Sequence, residues 1–550
     1  MTRFTILVAA ALGVLLSVPA TAQPRGRSQA GSQSAPPPAP AAAAADDDDG
    51  DGPEAKGAAL FKLDDIIEVA VRLSPSIARA RADREVARGT AGASRKDQSW
   101  VLSADVNYER DQIGVPADQL APLGVVADDK LTGKVGLSRN LPTGGNVAFE
   151  LGIIHDRQEL NVTGEVLSQA QMTQTQCSEG VDIFCQDQAS AKLTLKQPLS
   201  RGLGSEVALA PQHKADLAAA EATVKAQLAA EQMIRDLVSA YWELAYAAYV
   251  VDVRAQSLDL ARKQDQLTRQ EMRAGTAGQN ALDQVTYEIA TRDEALLTAK
   301  LDFEARSLEL RRVAGLEIGR RDILVRPADP LELDNVSWNI DDVLAQSHKV
   351  NRELAAIVLE KKIADVDVAV AHDGMLPQID LNLSGALTGT GATGSDAFSS
   401  LGNGDGFGYQ VVAGLSMSFE LSGAAKAAHA AATAKRHGLD IERLDRERQI
   451  DAEVVSSVKT LMSGRTRVAL SDKAIAVAED NVRAERAKFL AQTSTTFQVL
   501  QQQARLMDAQ LKRGRAVADY HVAAVKLRYL SGTLLDTYRV RVRSRGEREE

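Results

Sequence analysis

The longest uninterrupted helical pattern constrains this chain most. From Ala424 to about Lys488 there is no proline, and from Ile450 onward apolar residues recur three or four positions apart. A helix of about 65 to 70 residues spans roughly 100 Å at about 1.5 Å per residue, several times the diameter of a small domain. No globular core needs such a helix, so the pattern predicts a rod.

A shorter helical stripe follows this long segment, and the same pair occurs upstream. The C-terminal stripe consists of Phe497, Leu500, Ala504, Met507, Leu511, Gly514 and Ala518. The upstream stripe follows a long run from Ser205 to Ala274 and consists of Leu282, Val285, Ile289, Leu296, Ala299, Phe303, Leu310 and Val313. Arg292 and Arg306 fall in register with it, and we interpret each as a snorkelled stem or a rim residue rather than as a functional group. The chain therefore contains two long helical hairpins.

The two hairpins belong to an internal duplication. Leu63–Ile67 and Ile340–Leu344 open equivalent helices, offset by about 277 residues. Each half then continues with a strand region, a long helix, a polar tip and a return helix. An offset this large is typical of two similar halves rather than of a solenoid repeat.

The strand regions alternate apolar and polar residues. In the second half, 378–384 and 410–419 do so on each side of a glycine-rich loop, and each strand of about ten residues is long enough to cross a bilayer when tilted. The first half offers strands near Trp100–Glu109, Leu131–Asn140, Asn146–His155 and Ala191–Gln197. Strands with open edges persist in lipid only inside a closed barrel, and one chain offers too few, so we expect a barrel shared among chains.

The number of strands depends on the turn Leu141–Gly145. If this turn lies on the periplasmic side, each protomer contributes six strands and a trimer makes eighteen; otherwise the numbers are four and twelve. We expect four strands, with an elaborated outer loop closed by a disulfide between Cys177 and Cys185, which are the chain's two cysteines.

Residues 1–22 have the pattern of a secretory signal, with Arg3, an apolar run and Ala20-Thr21-Ala22 before the cleavage site. Residues 23–58 are rich in Pro, Ala and Asp and are predicted to be a disordered linker. No later run of about 18 apolar residues occurs, which argues against a transmembrane helix.

Several functional classes find no support in the sequence. A net charge of −10 argues against a nucleic-acid binder. No catalytic, cofactor or metal signature is evident, and the chain is predicted not to be an enzyme. Gly389–Gly394 matches GxGxxG but is interpreted as an exposed loop with no helix after it. The aromatic cluster Tyr241, Trp242, Tyr246 and Tyr249 is interpreted as a packed belt around the rod.

Three segments together resemble the TolC family of outer-membrane efflux proteins, and the resemblance extends from Leu63 to Leu535. They are the strand-to-helix junction Gln197–Gly204, the tip Gln492–Leu500 and the ending Leu530–Leu535. The resemblance implies a mostly α fold with a β-barrel section: duplicated helical hairpins form a periplasmic tunnel, and strands complete a shared trimeric outer-membrane barrel.

The resemblance also implies a function and partners. A homotrimer in the outer membrane, with a large periplasmic portion, would be the passive exit duct of a tripartite efflux pump or type I secretion system. A periplasmic adapter (membrane fusion) protein would join it to an inner-membrane RND, ABC or MFS transporter. The alternative from another class is a secreted coiled-coil structural or adhesion protein, which would explain the heptads but not the alternating segments.

The family closes its periplasmic end at the hairpin tips, and this gives candidate gate residues. They are Gly275 and Asp283 in the first tip, and Gln492 and Gln498 at the glycine and acidic positions of the second. An acidic ring is at most half present. Asp283 has a second interpretation, as a carboxylate favoured by the dipole at a helix N-terminus.

The predicted segments follow from these assignments. They are a signal peptide (1–22), a linker (23–58), a first repeat (59–335) with strands at about 99–198 and a hairpin at about 205–316, a second repeat (336–535) with strands at about 378–420 and a hairpin at about 422–534, and a C-terminal tail (536–550).

Overall fold

The structure is a computed structural model that describes residues 59–112, 125–160, 183–275, 278–316, 325–334, 336–402 and 406–540. The predicted signal peptide, the predicted linker and residues 541–550 of the tail lie outside these ranges. The segment boundaries predicted from the sequence stay predictions.

The described elements follow one another in the order expected of two similar halves. They are β1 (Ala59–Phe61), α1 (Leu63–Leu73), α2 (Pro75–Ser94), β2 (Val101–Gln112), β3 (Val125–Asn140), β4 (Asn146–Leu160), β5 (Ile183–Pro198), α3 (Ser205–Ala208), α4 (Ala210–Arg273), α5 (Gln279–Ala314), β6 (Val325–Pro327), α6 (Ile340–Val350), α7 (Arg352–Asp373), β7 (Gln378–Gly391), α8 (Gly394–Ser399), β8 (Phe407–Ser418), α9 (Ala424–Leu490), α10 (Thr496–Leu530) and α11 (Leu534–Thr537).

The two longest helices are α4, with 64 residues, and α9, with 67. At about 1.5 Å per residue each is roughly 100 Å long. Each turns back into a shorter helix that packs against it, α5 on α4 and α10 on α9, and α4 also packs on α10. The predicted hairpins are therefore present. Among the described residues, none of the helices is both long and apolar enough to cross a membrane.

Local signals set where several helices begin. Pro75 lies in the first turn of α2, where a missing N–H costs no hydrogen bond. The side chain of Asn339 caps α6, and that of Asn351 caps α7 by accepting from the N–H groups of Glu353 and Leu354. These three helices, α2, α6 and α7, therefore begin at proline or asparagine, residue types that favour a helix start.

Six strands form one antiparallel sheet in the order β2-β3-β4-β5-β7-β8. The expectation of four strands is wrong. The turn Leu141–Gly145 packs beside the β5–α4 junction, where the Gly204 N–H donates to the carbonyl of Thr143 at 3.1 Å. It therefore lies at the helical end of the sheet, so β3 and β4 belong to the sheet rather than to an outer loop.

The main buried cluster lies where the two halves meet. It joins α1, α2, α4, α5, α9 and α10 through side chains that are almost inaccessible, among them Ile66, Ile77, Ile234, Leu237, Leu244, Leu310, Ile450, Leu461, Leu527 and Leu530. Between this cluster and the hairpin tips, the helices pack through the narrower seams of the hairpins. The seam predicted for α5 is confirmed at Leu282, Val285, Leu296, Ala299 and Leu310, which are buried.

Two details of the predicted seams are wrong. Phe497 is 57% exposed, because the buried stripe of α10 runs through Thr496, Val499 and Leu500 and Phe497 lies about 100° away around the helix. Arg306 is exposed as expected of a rim residue, whereas Arg292 is buried within the seam.

A short parallel pair, β1 with β6, ties the start of the first half to the segment between the halves. The hydroxyl of Tyr241 on α4 donates to Asp329 at 2.5 Å, and Asp329 accepts the N–H of Leu63 at 2.9 Å. These bonds fix the segment that precedes the second half against the buried cluster.

Candidate conduit: the faces of the sheet and the tips of the hairpins

The two faces of the six-stranded sheet differ in chemistry along their whole width. Directly paired residues share a face, and one row across all six strands reads Leu102, Leu137, Phe149, Leu193, Gly385 and Val411. The adjacent row, on the opposite face, reads Ser103, Gly136, Glu150, Lys192, Ala386 and Gln410. One face is therefore apolar and the other polar, as a strand period of two requires.

The apolar face is largely exposed in a single chain. All twelve residues of β2 are exposed, and on β8 the exposed side chains include Tyr409 at 76% and Val411 at 77%. A monomeric soluble protein rarely leaves so wide an apolar surface uncovered. The outer edges of β2 and β8 have no neighbouring strand among the described residues.

A belt of charged and polar side chains bounds the apolar face at the end away from the helices. His155 Nδ1 and Asp187 Oδ1 lie 2.5 Å apart, and the hydroxyl of Tyr108 donates to Asp129 at 2.8 Å. Cys185 in β5 is bonded as a disulfide. Its predicted partner, Cys177, lies outside the described residues, so the pairing stays a prediction.

The first tip joins α4 to α5. Gly275 has φ +77°, and its N–H donates to the carbonyl of Met272 at 3.1 Å, which ends α4 in a left-handed turn. Asp283 lies in the first turns of α5, is exposed, and accepts a hydrogen bond from Gln279 at 2.8 Å. Its two interpretations, as a gate residue and as a carboxylate at a helix N-terminus, stay predictions.

The second tip joins α9 to α10. Gln492 has φ +60°, a left-handed conformation that favours glycine, and it holds the position that Gly275 holds in the first tip. Thr495 caps α10 at the N–H of Gln498, whose side-chain oxygen accepts from Ser494 at 2.8 Å. The single Ser494 proton is shared with the carboxylate of Glu485, and this hydrogen bond lowers the pKa of that carboxyl.

Arg292 is the residue of this region whose role the sequence did not reveal. Its guanidinium is buried and donates to Glu288 at 2.7 Å, to the carbonyl of Ser257 on α4 at 2.8 Å and to Gln503 on α10 at 3.2 Å. It joins the first hairpin to the second. The three-four spacing of the seam places Arg292 on the buried side of α5, and this spacing was the one sign of its role in the sequence.

The interface around Arg292 holds polar atoms without hydrogen-bond partners among the described residues. They belong to Ser257, Gln264 and Thr268 on α4 and to Gln503 on α10. Each such atom costs about 1–3 kcal/mol relative to a hydrated one. The hairpin seam at this level is therefore more polar than the apolar cluster where the two halves meet.

A second polar cluster joins the two halves near the apolar core. Buried Glu231 on α4 forms an ion pair with Arg352 on α7, and Arg352 also donates to the carbonyl of Gly532 at 3.0 Å. Burial raises the pKa of Glu231 to about 7, although Arg352 acts in the opposite direction. This residue was not singled out from the sequence, because its partner is 121 positions away.

The aromatic cluster of α4 packs against α10. The indole of Trp242 stacks on the ring of His521, with ring centroids 3.7 Å apart. Burial lowers the pKa of His521, so the stacked ring is favoured in its neutral form. A Cβ built on Gly514 would lie 2.6 Å from the ring of Tyr249, so α10 approaches this cluster through a glycine. The interpretation of these rings as packing agrees with their contacts.

The GxGxxG segment serves packing as well. A short helix, α8, does follow it, contrary to expectation. A Cβ on Gly389 would meet the Ala397 carbonyl at 2.3 Å, and one on Gly391 would meet the Ala397 nitrogen at 2.6 Å. The glycines therefore let α8 lie on the sheet. Among the residues that the structure describes, no group of three or more His, Cys, Asp or Glu side chains is arranged to hold a metal ion.

Comparison with known proteins agrees with this architecture. Residues 343–533 match the outer membrane efflux protein family. No curated protein sequence matches the chain.

Solved structures match over most of the length of both chains. VceC of Vibrio cholerae is 14% identical, covering 86% of this chain and 96% of its own, with a TM-score of 0.61. The CmeC outer membrane channel of Campylobacter jejuni is 11% identical over 86% of each chain, with a TM-score of 0.61. The MtrE outer membrane channel of Neisseria gonorrhoeae, in its open state, is 14% identical over 86% of this chain and 89% of its own, with a TM-score of 0.58. These likenesses show that the chain has the fold of outer-membrane channels, with a helical tunnel and a β-barrel.

Proposed function

Because residues 343–533 match the outer membrane efflux protein family and the chain shares the fold of outer-membrane channels, we propose that it is the passive exit duct of a tripartite efflux pump or type I secretion system. The family is one of channels rather than enzymes, and its members lie in the outer membrane with a large periplasmic helical portion.

The observation that carries the proposal is the six-stranded sheet. One of its faces is apolar and the other polar, and its edge strands, β2 and β8, have no further neighbour among the described residues. In lipid the apolar face turns outward, and unpaired strand edges cannot remain. Neighbours in the sheet are antiparallel throughout, so β2 and β8 run in opposite directions. The β8 edge of one copy can therefore pair with the β2 edge of the next. Three copies closed in this way form the homotrimer and enclose the polar face.

The hairpins continue this passage below the membrane. A helix of roughly 100 Å extends far beyond a bilayer, whose hydrocarbon core is about 30 Å thick. Its far end is available to a periplasmic adapter protein, which would connect the duct to an RND, ABC or MFS transporter in the inner membrane. The transporter selects the cargo, and the duct conducts it.

We place the gate at the tips, beside Gly275 and Asp283 in the first and Gln492 and Gln498 in the second. The buried polar atoms of Ser257, Gln264, Thr268 and Gln503 support this placement. Water can form hydrogen bonds to these atoms when the helices separate, and this offsets part of the free energy that opening requires. Opening is then a repacking of both tips when the adapter docks.

Cross-linking in a planar bilayer tests the proposal. We expect discrete conductance steps from the purified protein, and Gln498→Cys should lose conductance on oxidation and regain it on reduction, because the tips of three protomers converge. Wild type carried through the same redox cycle is the control for the native disulfide. Asp480→Cys is the matched variant, since this exposed residue lies ten positions before the end of α9.

The outcomes separate the candidate functions. No conductance, even after both tips are loosened, would reject the duct and favour the secreted rod. Conductance that oxidation leaves unchanged in Gln498→Cys would keep the duct and reject the tips as its gate.

A further inference from the structure

Four of the six strands continue directly into helices, and two do not. α2 leads into β2 through a single 3₁₀ turn, β5 leads to α4, α7 leads to β7, and β8 leads to α9. The remaining strands, β3 and β4, are joined to each other at the helical end by the turn Leu141–Gly145. The backbone therefore enters and leaves this hairpin at the outer end of the sheet, away from the helices.

The hairpin is part of the wall along its full length. β2 pairs with β3 from Val101 to Gln112, and β4 pairs with β5 from Asn146 to Glu159. β2 and β5 are therefore separated by two complete strands. The apolar and polar rows pass through the hairpin without interruption, so it presents the same two faces as its neighbours.

The base of the hairpin is fixed to the strand-to-helix junctions. The Thr143 hydroxyl donates to Gln197 on β5 at 3.0 Å, and a Cβ on Gly144 would lie only 2.0 Å from the Gly202 carbonyl oxygen. On the other side, Arg139 donates to the carbonyl of Gln98, just before β2, at 2.9 Å. These contacts keep the sheet at its six-strand width where it meets the helices.

The width of the sheet matches the width of the helical ring. At the level of the junctions α2, α4, α7 and α9 pack in that order, which gives twelve helices in three copies. With interaxial distances of about 8–10 Å, twelve helices have a circumference of roughly 96–120 Å. Eighteen strands about 4.8 Å apart and tilted by about 40° give roughly 113 Å, whereas twelve strands give roughly 75 Å.

We propose that hairpin β3–β4 sets the bore of the outlet, so that three copies close an eighteen-stranded barrel as wide as the tunnel beneath it. The inference rests on the trimeric duct proposed above. A cross-section about twice that of a twelve-stranded barrel follows, since area grows with the square of the circumference. Bulky hydrated solutes that pass the tunnel then meet no narrowing at the outer membrane.

The test compares the outlet with and without the hairpin. Removal of residues 113–182 and their replacement by Asn-Gly joins the outer ends of β2 and β5, which then become antiparallel neighbours in a four-stranded sheet. Both native cysteines are changed to serine in every variant, because the excision would leave Cys185 unpaired. Ser416→Cys, on the polar face near the base, is the reporter, and Leu415→Cys, on the apolar face and 61% exposed, is its matched control.

Cells carrying each variant are treated from outside with maleimide-polyethylene glycols of increasing size, and labelling is measured as a gel shift. We expect Ser416→Cys to react with distinctly larger polymers in the full chain than in the excised chain. If the largest polymer that labels Ser416→Cys is the same in the full chain and in the excised chain, the inference is wrong, while the proposed duct still stands. Labelling of Leu415→Cys as readily as Ser416→Cys, or no labelling of Ser416→Cys by the smallest reagent, instead counts against the duct itself.

A second measurement does not depend on the excised chain folding. Electron microscopy of the full-length protein in detergent should show eighteen strands around the barrel. Twelve strands, with β3–β4 outside the wall, would overturn the inference.

Discussion

The contact between Gly514 and the aromatic cluster gives a sharp test of how the two hairpins pack. Gly514→Ala adds one methyl group to α10 at a point where its Cβ would lie 2.6 and 2.7 Å from two atoms of the Tyr249 ring. Gly464→Ala adds the same group to α9, where the nearest atom, on Tyr520, is 3.6 Å away. The two substitutions share their chemistry and differ in the space available.

The expected effects have opposite signs. Alanine is favoured over glycine in a helix interior by about 1 kcal/mol, so Gly464→Ala should stabilise the protein by about that amount. At Gly514 the same gain is opposed by overpacking, which costs about 1–3 kcal/mol when side chains must move. The free energy of unfolding of the two variants should therefore differ by about 1–3 kcal/mol.

Guanidinium unfolding followed by the circular dichroism of the helices measures this difference, at equal protein concentration because the stability of the proposed trimer depends on concentration. Tyr249→Ala provides the internal control: in that background Gly514→Ala should become stabilising, because the clashing ring is gone. If Gly514→Ala stabilises the protein as much as Gly464→Ala does, the close approach of α10 to Tyr249 is wrong.

Three further predictions concern the tips and the buried polar clusters. Gln492→Gly should stabilise the second tip and Gly275→Ala should destabilise the first tip, each by about 1 kcal/mol, because both residues have a left-handed backbone conformation. Hydrogen exchange of the amides in the adjacent turns measures these changes in stability. Changes of the same sign at the two tips would contradict the prediction. Arg292→Met should lower the free energy of unfolding by about 2–4 kcal/mol, since it leaves Glu288 and a buried carbonyl without their donor, and an unchanged denaturation midpoint would argue against the link. Glu231 binds its proton more tightly in the folded state, where its pKa is about 7, than when unfolded, where the ordinary value is 4.5. This group's contribution to stability should therefore fall by up to about 3 kcal/mol as pH rises between these values and then level off. Glu231→Gln should lose this part of the pH dependence, and parallel profiles of the two proteins would refute the assignment.

The long hairpins could be predicted because a helical stripe is a property of one segment. Leu282, Val285 and Leu296 are buried as their spacing indicates. Arg292 shows the limit of that reasoning. Its position in the seam is local information, but its acceptor Gln503 is 211 residues away, and nothing in the spacing reveals that contact.

The strand count failed for a related reason. Each strand of the first half is recognisable from its alternation, but the side on which the turn Leu141–Gly145 lies depends on tertiary contacts. The decisive ones join Thr143 to Gly204 and to Gln197, 54 or more residues further along the chain. A disulfide-closed outer loop explained the extra residues equally well until these contacts were known.

Hairpin β3–β4 enters and leaves the wall at its outer end, so its presence displaces no helix. An outer-membrane duct built in this way can change the girth of its outlet in steps of two strands per subunit while the count of helices in its shaft stays fixed. The surface that the shaft offers to other proteins is then untouched by such a change. Outlet and shaft can therefore diverge independently in evolution, and the same separation allows an engineer to resize one end of the duct alone.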